Sequence, residues 1–123
     1  MRAKLFFVMA VALFWSASVF SETIVGGFVT GNSLFDVCSD SHHINEAYCK
    51  GYVAGVADAI SQMNAVKANG WTTPSTCIPQ GEKVTQDQLK DVVVQYLTAH
   101  PEIRHVAAAG LTLLALQAAF PCK

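Results

Sequence analysis

The sequence predicts an all-α fold: a small disulfide-linked helical bundle with one short and three longer helices. Three observations predict it. Apolar residues recur at spacings of three and four through long stretches, the period of a helix with one covered face. Helix start and stop residues separate those stretches, the clearest being a capping box at Thr85-Gln86-Asp87-Gln88. Four cysteines occur in a short chain that opens like an exported protein, which predicts two disulfides.

Taken in order, the chain begins with basic Met1-Arg2-Ala3-Lys4, and an uncharged apolar run follows from Leu5 to Phe20. Small residues close the run, with Ser16, Ala17, Ser18 and Ser21 as candidate cleavage positions. Basic head, apolar middle and small-residue exit predict a signal peptide over residues 1–21, cut after Ser21 or, as the second choice, after Ser18. The competing reading is a retained anchor, but the run is short for a spanning helix, which needs about 20 apolar residues. Its removal leaves residues 22–123, 102 of the 123, as a single helical domain. Arg2 and Lys4 leave with it, taking the eight Lys+Arg to six against nine Asp+Glu, a formal net charge of −3 in place of −1. A mildly acidic domain with no basic patch argues against nucleic acid as a partner. No later run is pure enough to span a bilayer, so no membrane contact is expected after signal cleavage.

Glu22 to Thr30 reads as a loose leader. Gly31-Asn32-Ser33 offers N-cap chemistry for a short helix from Leu34 to about Ser39. Asp40-Ser41-His42-His43 makes a turn. From Ile44 to about Ala68 the pattern is helical, with Ile44, Tyr48, Tyr52, Val56, Ile60 and Met63 on one apolar row. Ala47, Gly51, Gly55 and Ala59 form a second row, four apart, which would let another helix approach closely. Each glycine costs about 1 kcal/mol of helix propensity against alanine, so a packing gain is expected in return. Asn69-Gly70 suits a C-cap. Trp71 to Lys83 is a loop rich in Pro, Thr, Ser and Gly, stapled at Cys77.

The next helix starts at the capping box, with Val84 and Leu89 placed as a hydrophobic staple and Leu89, Val92, Val93, Tyr96 and Leu97 as its apolar face. His100-Pro101 breaks it, and Pro101 and Glu102 suit the first turn of a further helix. From Ile103 to Phe120 that segment is apolar nearly all round, which predicts a central helix covered by its neighbours. Pro121 stops it and Cys122 pins the end.

Four cysteines allow three pairings. An up-down arrangement of helices brings Cys77 and Cys122 to one pole and Cys38 and Cys49 to the other, which predicts Cys38–Cys49 and Cys77–Cys122. No metal site is expected, since neither a CxxC pair nor a histidine ligand spacing is present, and no cofactor is implied. Nor is there a catalytic set. The thiols are expected to be oxidised, no GxSxG elbow occurs, and the nine acids are scattered.

Three sets of polar or aromatic residues stand out. Asp58 sits among apolar neighbours and is expected to pair with Arg104 or His105 as a structural polar set. His42 and His43 read as a surface turn, a partner contact or an acid sensor. Trp71, the one tryptophan outside the signal, reads either as a binding anchor, with Thr72 and Thr73 beside it, or as a cover over the core.

A longer series is also present: Tyr48-Cys49-Lys50-Gly51-Tyr52-Val53-Ala54-Gly55-Val56-Ala57-Asp58-Ala59, then His100-Pro101-Glu102-Ile103-Arg104-His105, then Ala119-Phe120-Pro121-Cys122. Over residues 30–122 it resembles the Rap/Tai immunity-protein family of the bacterial type VI secretion system. The resemblance implies a small helical periplasmic protein that is not an enzyme. Such proteins bind and block peptidoglycan amidase effectors, cysteine endopeptidases of the NlpC/P60-like type, and members form homodimers. On that reading the Trp71–Gln80 loop and the His42–Glu46 turn are the first contact regions to consider. The alternatives from other classes are a small periplasmic acid-stress chaperone of the HdeA kind and an envelope assembly module.

Overall fold

The computed structural model describes residues 26–65, 76–81 and 83–123. The expected signal segment, residues 1–21, lies outside them, as do Trp71, Thr72 and Thr73. The described residues form four helices, α1 (Gly31–Ser39), α2 (His43–Ala65), α3 (Gln86–Ala99) and α4 (Ala108–Ala119), and a 3-10 turn at Pro101–Ile103. Each helix touches the other three. Among the described residues there is no strand, only two isolated bridges, Thr30 to Ala107 and Thr76 to Pro121.

The predicted all-helical bundle is therefore the observed one, and the two disulfides join Cys38 to Cys49 and Cys77 to Cys122. The first ties α1 to α2 inside the core, where both cysteines are buried. The second ties the segment before α3 to the chain end, and both of its cysteines are exposed. Beside it, the Cys77 N–H donates to the Phe120 carbonyl (2.8 Å) and the Asn64 amide donates to the Thr76 carbonyl (2.6 Å). The end of α2, the Cys77 segment and the end of α4 thus form one cross-linked pole.

Three elements depart from expectation. The short helix starts at Gly31, not Leu34, with Thr30 as its N-cap; the Thr30 hydroxyl accepts the Ser33 N–H at 3.2 Å. The longer start is possible because backbone from the opposite end of the chain satisfies the first turn. Gly31 N–H donates to the Val106 carbonyl (2.9 Å) and Asn32 N–H to the Arg104 carbonyl (2.7 Å).

Those same carbonyls explain the second departure. The expected helix from Ile103 does not form there. The Arg104 and Val106 carbonyls accept from α1, Ala108 N–H donates to the Val29 carbonyl (2.8 Å), and α4 begins only at Ala108. Backbone groups committed to a distant segment are lost to a local helix.

The third departure is which faces are covered. α2 buries Cys49, Val53, Ala57 and Ile60. Of the six large apolar residues expected to face inward, only Ile60 is in the core; Ile44 is 62% exposed, Tyr48 49% and Met63 45%. The row of small residues is open too: Ala47, Gly51, Gly55 and Ala59 are exposed, and a Cβ added at Gly51 or Gly55 would meet nothing within 4 Å. Likewise α4 is not enclosed. It buries Leu111, Thr112, Ala115 and Leu116, but Leu114 is 46% exposed on its other side. α3 follows its predicted face, with Leu89, Val93 and Leu97 buried and both bonds of the Thr85–Gln88 capping box formed.

Candidate partner-binding surfaces

The structure separates the expected polar set. Asp58 is exposed and has no hydrogen-bond or ion-pair partner among the described residues. Arg104 works elsewhere. Its Nε donates to the Leu97 carbonyl at 2.6 Å, holding a C-terminal carbonyl of α3, and its guanidinium lies 3.7 Å from the centre of the Phe35 ring. His105 is exposed, with Nδ1 3.1 Å from the Glu102 carbonyl oxygen. The three residues do not form one site.

His42 and His43 are exposed at the start of α2 with their rings stacked, centroids 4.6 Å apart. Asp40, the C-cap of α1, joins it to this helix start: it accepts the His42 N–H (2.9 Å) and the Asn45 amide (2.6 Å). These bonds, the His42 N–H foremost, favour the charged carboxylate and lower the Asp40 pKa below its usual range.

Sequence reasoning missed a charge network between the first two turns of α2 and of α3. Lys50 bridges Glu46 (2.9 Å) and Asp87 (2.6 Å), and Lys90 lies 3.7 Å from Glu46. Its one local signal is the Glu46–Lys50 spacing of four. Hydrogen bonds to Lys50 come first among the causes that lower the Glu46 and Asp87 pKa values, and the bonds to Asp87 and Glu46 raise that of Lys50.

Two concave surfaces flank α2. On one side a groove of about 570 Å³ runs between α2 and α4. Gly51, Gly55 and Ala59 form one wall, and Ala109 and Gly110 form the other. Tyr52, Val56, Met63 and Leu113 complete it, so its lining carries no charged group. On the opposite side a crevice of about 220 Å³ lies between α2, residues 78–81 and the start of α3. Asp58, Ser61 and Gln80 line it with apolar Ala54, Ile78, Pro79 and Leu89. The Ser61 hydroxyl donates to the Ala57 carbonyl (3.0 Å) and accepts from the Gln80 amide (2.9 Å), which fixes the crevice wall. Gly81 turns that wall at φ +82°, in the left-handed region that favours glycine.

All four cysteines are in disulfides, and among the described residues no group of three His, Cys, Asp or Glu is gathered to hold a metal. No described helix is long and apolar enough to cross a membrane. What the molecule offers is surface, on a bundle made rigid by two cross-links: an unpaired carboxylate in a crevice on one side and an open apolar groove on the other. This is the construction of a small disulfide-linked helical domain. The sequence matches the Rap1a immunity proteins over residues 30–122, and the chain belongs to that family. No curated protein and no solved structure matches it. Membership implies that its work is to bind a partner effector protein.

Proposed function

We propose that the protein is a periplasmic immunity protein that binds and inhibits a type VI secreted peptidoglycan amidase effector, protecting the cell that makes it. The observation that carries this reading is the family match across residues 30–122. Two further features support it. A toxin that cuts the cell wall must be met outside the cytoplasm, and residues 1–21 have the pattern of an export signal. Two disulfides suit an oxidising compartment and hold a binding surface rigid, which lowers the ordering cost of association. Blocking an enzyme needs no chemistry of its own, so the protein acts as an inhibitor and not as a catalyst.

The test is inhibition by the oxidised protein of a peptidoglycan amidase encoded beside it. Stoichiometric loss of peptidoglycan hydrolysis, with a complex stable on size exclusion, is expected. Full hydrolysis in the presence of excess protein overturns the reading.

The inhibitor works as a homodimer through the groove between α2 and α4. Its small-residue walls admit a close helix approach, and its uncharged lining brings no like charges together across a two-fold axis. Gly55→Glu places a charge on an open helix face, so it is expected to leave the fold intact and give a monomer in analytical ultracentrifugation. A dimer of unchanged affinity would move the interface away from this groove.

A further inference from the structure

We propose that the crevice between α2 and the start of α3 is a receptor for a single lysine or arginine side chain of the partner protein, with Asp58 as the counter-ion. The inference rests on the reading of the chain as an inhibitor of another protein, and it names the contact that such a partner makes.

Size is the first reason. At about 220 Å³ the crevice falls below the roughly 300–1,000 Å³ of ordinary small-molecule pockets, and it suits one extended side chain. Its lining is the second. The exposed lining is mainly polar, with a smaller apolar part to which Ala54, Ile78, Pro79 and Leu89 belong, and Asp58 supplies a carboxylate. An aliphatic stem ending in a cation needs both.

Hydrogen-bond capacity is the third. Lysine and arginine heads are donors only. Asp58 has two free acceptor oxygens, and Gln80, whose amide N–H groups go to Ser61 (2.9 Å) and to the Ile78 carbonyl (3.1 Å), keeps its Oε1 unused among the described residues. Four other acids are already engaged, Asp40 by His42 and Asn45, Glu46 and Asp87 by Lys50, and Glu102 by His100, while Asp36 and Asp91 have no partner among the described residues but do not line the crevice. Asp58 differs in lining a cavity without a partner of its own.

An anion is the competing occupant, because the crevice meets the N-terminal turn of α3. Two facts disfavour it. The capping box engages the Gln88 and Thr85 N–H groups at that end, and the Asp58 carboxylate repels an anion across the same small space.

The experiment is a titration of the isotopically labelled, oxidised protein with the capped tripeptides Ac-Gly-Lys-Gly-NH2 and Ac-Gly-Arg-Gly-NH2, followed by amide chemical shifts. The norleucine tripeptide is the uncharged control. Saturable shifts confined to residues 54–61, 78–81 and 84–89 are expected, with a dissociation constant of roughly 1–10 mM for so small a contact. Asp58→Asn keeps the side-chain shape and is expected to weaken this binding about tenfold. Ala54→Met, which fills the crevice and spares the carboxylate, is expected to weaken it as well. Equal shifts with norleucine, shifts spread over other faces, or wild-type titration by Asp58→Asn overturns the proposal.

A second arm uses any amidase that the wild-type protein inhibits. There Asp58→Asn is expected to raise the inhibition constant at least tenfold, with an unchanged thermal midpoint. Equal inhibition by variant and wild type also overturns the proposal. Because the peptide arm needs no amidase, failure to find one bears on the proposed function and not on the crevice.

Discussion

Gly31 and Gly51 show how differently one residue type can serve in the same fold. Gly31 opens α1 against the turn that precedes α4; a Cβ there would collide with Leu111 Cδ1 and come within 2.7 Å of the Arg104 carbonyl oxygen. Backbone cannot give way as a flexible side chain can, so Gly31→Ala is expected to destabilise by about 1–3 kcal/mol, the usual range for overpacking. Gly51 lies in the middle of α2 and faces open space. Gly51→Ala is expected to stabilise the monomer by about 0.5–1 kcal/mol, through helix propensity alone. Urea denaturation of the two variants beside wild type checks both signs, and similar midpoints for the pair would mean that the close approach at Gly31 relaxes without cost. Arg104 carries a related lesson. Its basic head invites pairing with an acid such as Asp58, yet it is held by a backbone carbonyl and an aromatic ring, neither of which a charge pattern reveals.

At the scale of elements, what was legible in the sequence is what is local. The capping box at Thr85–Gln88 spans three residues and formed as read, and α3 buries three of its five expected face residues. The onset of α4 was not legible, because Arg104, Val106 and Ala108 bond to Asn32, Gly31 and Val29 far away in the chain. The inward face of α2 differs from the predicted one for another reason. The largest apolar residues make the stronger periodic signal, but the Cys38–Cys49 bond sits on a row of smaller ones and turns that row inward. Tyr52, Val56 and Met63 of that row line the groove between α2 and α4, together with Gly51, Gly55 and Ala59 of the small-residue stripe.

The α2–α3 charge network also belongs to this scale, and its pH dependence has a definite sign. Glu46 and Asp87 have folded pKa values below their ordinary 4.5 and 3.8, so their contribution is present at neutral pH. It fades as pH falls below about 4.5 and through the lowered values. Lys50 is raised above 10.5, so its contribution holds below that pH and is lost as pH rises beyond it. Lys50→Met removes the shared cation and is expected to shift the acid unfolding midpoint upward, by an amount that shrinks in high salt because the groups are partly open to solvent. Circular dichroism melts between pH 2 and 7 at two ionic strengths check this; a variant with the wild-type acid limb would show that the network contributes nothing to folding.

For the whole molecule, the two disulfides divide the burden of stability unequally. A domain of this size has a core of only thirteen buried apolar residues among those described, so cross-links matter to its balance. Cys77–Cys122 closes a sequence separation of 45 residues, and Cys38–Cys49 one of 11. On the chain-entropy estimate these are worth about 4 and about 3 kcal/mol. Accessibility runs the same way, since Cys77 and Cys122 are exposed whereas Cys38 and Cys49 are 6% and 0% exposed. Thiolate reductants need access to a sulfur, so mild reduction under native conditions is expected to open Cys77–Cys122 first. That step frees the pole where the Cys77 segment meets the end of α4, while α1 and α2 stay joined in the core. Timed alkylation followed by peptide mapping reads the order directly. Modification at Cys77 and Cys122 should precede that at Cys38 and Cys49, and the partly reduced species should melt earlier yet keep its helical signal. Simultaneous loss of both bonds would mean that the cross-linked pole and the core open as one cooperative unit, and the bundle would then have no separable end to regulate.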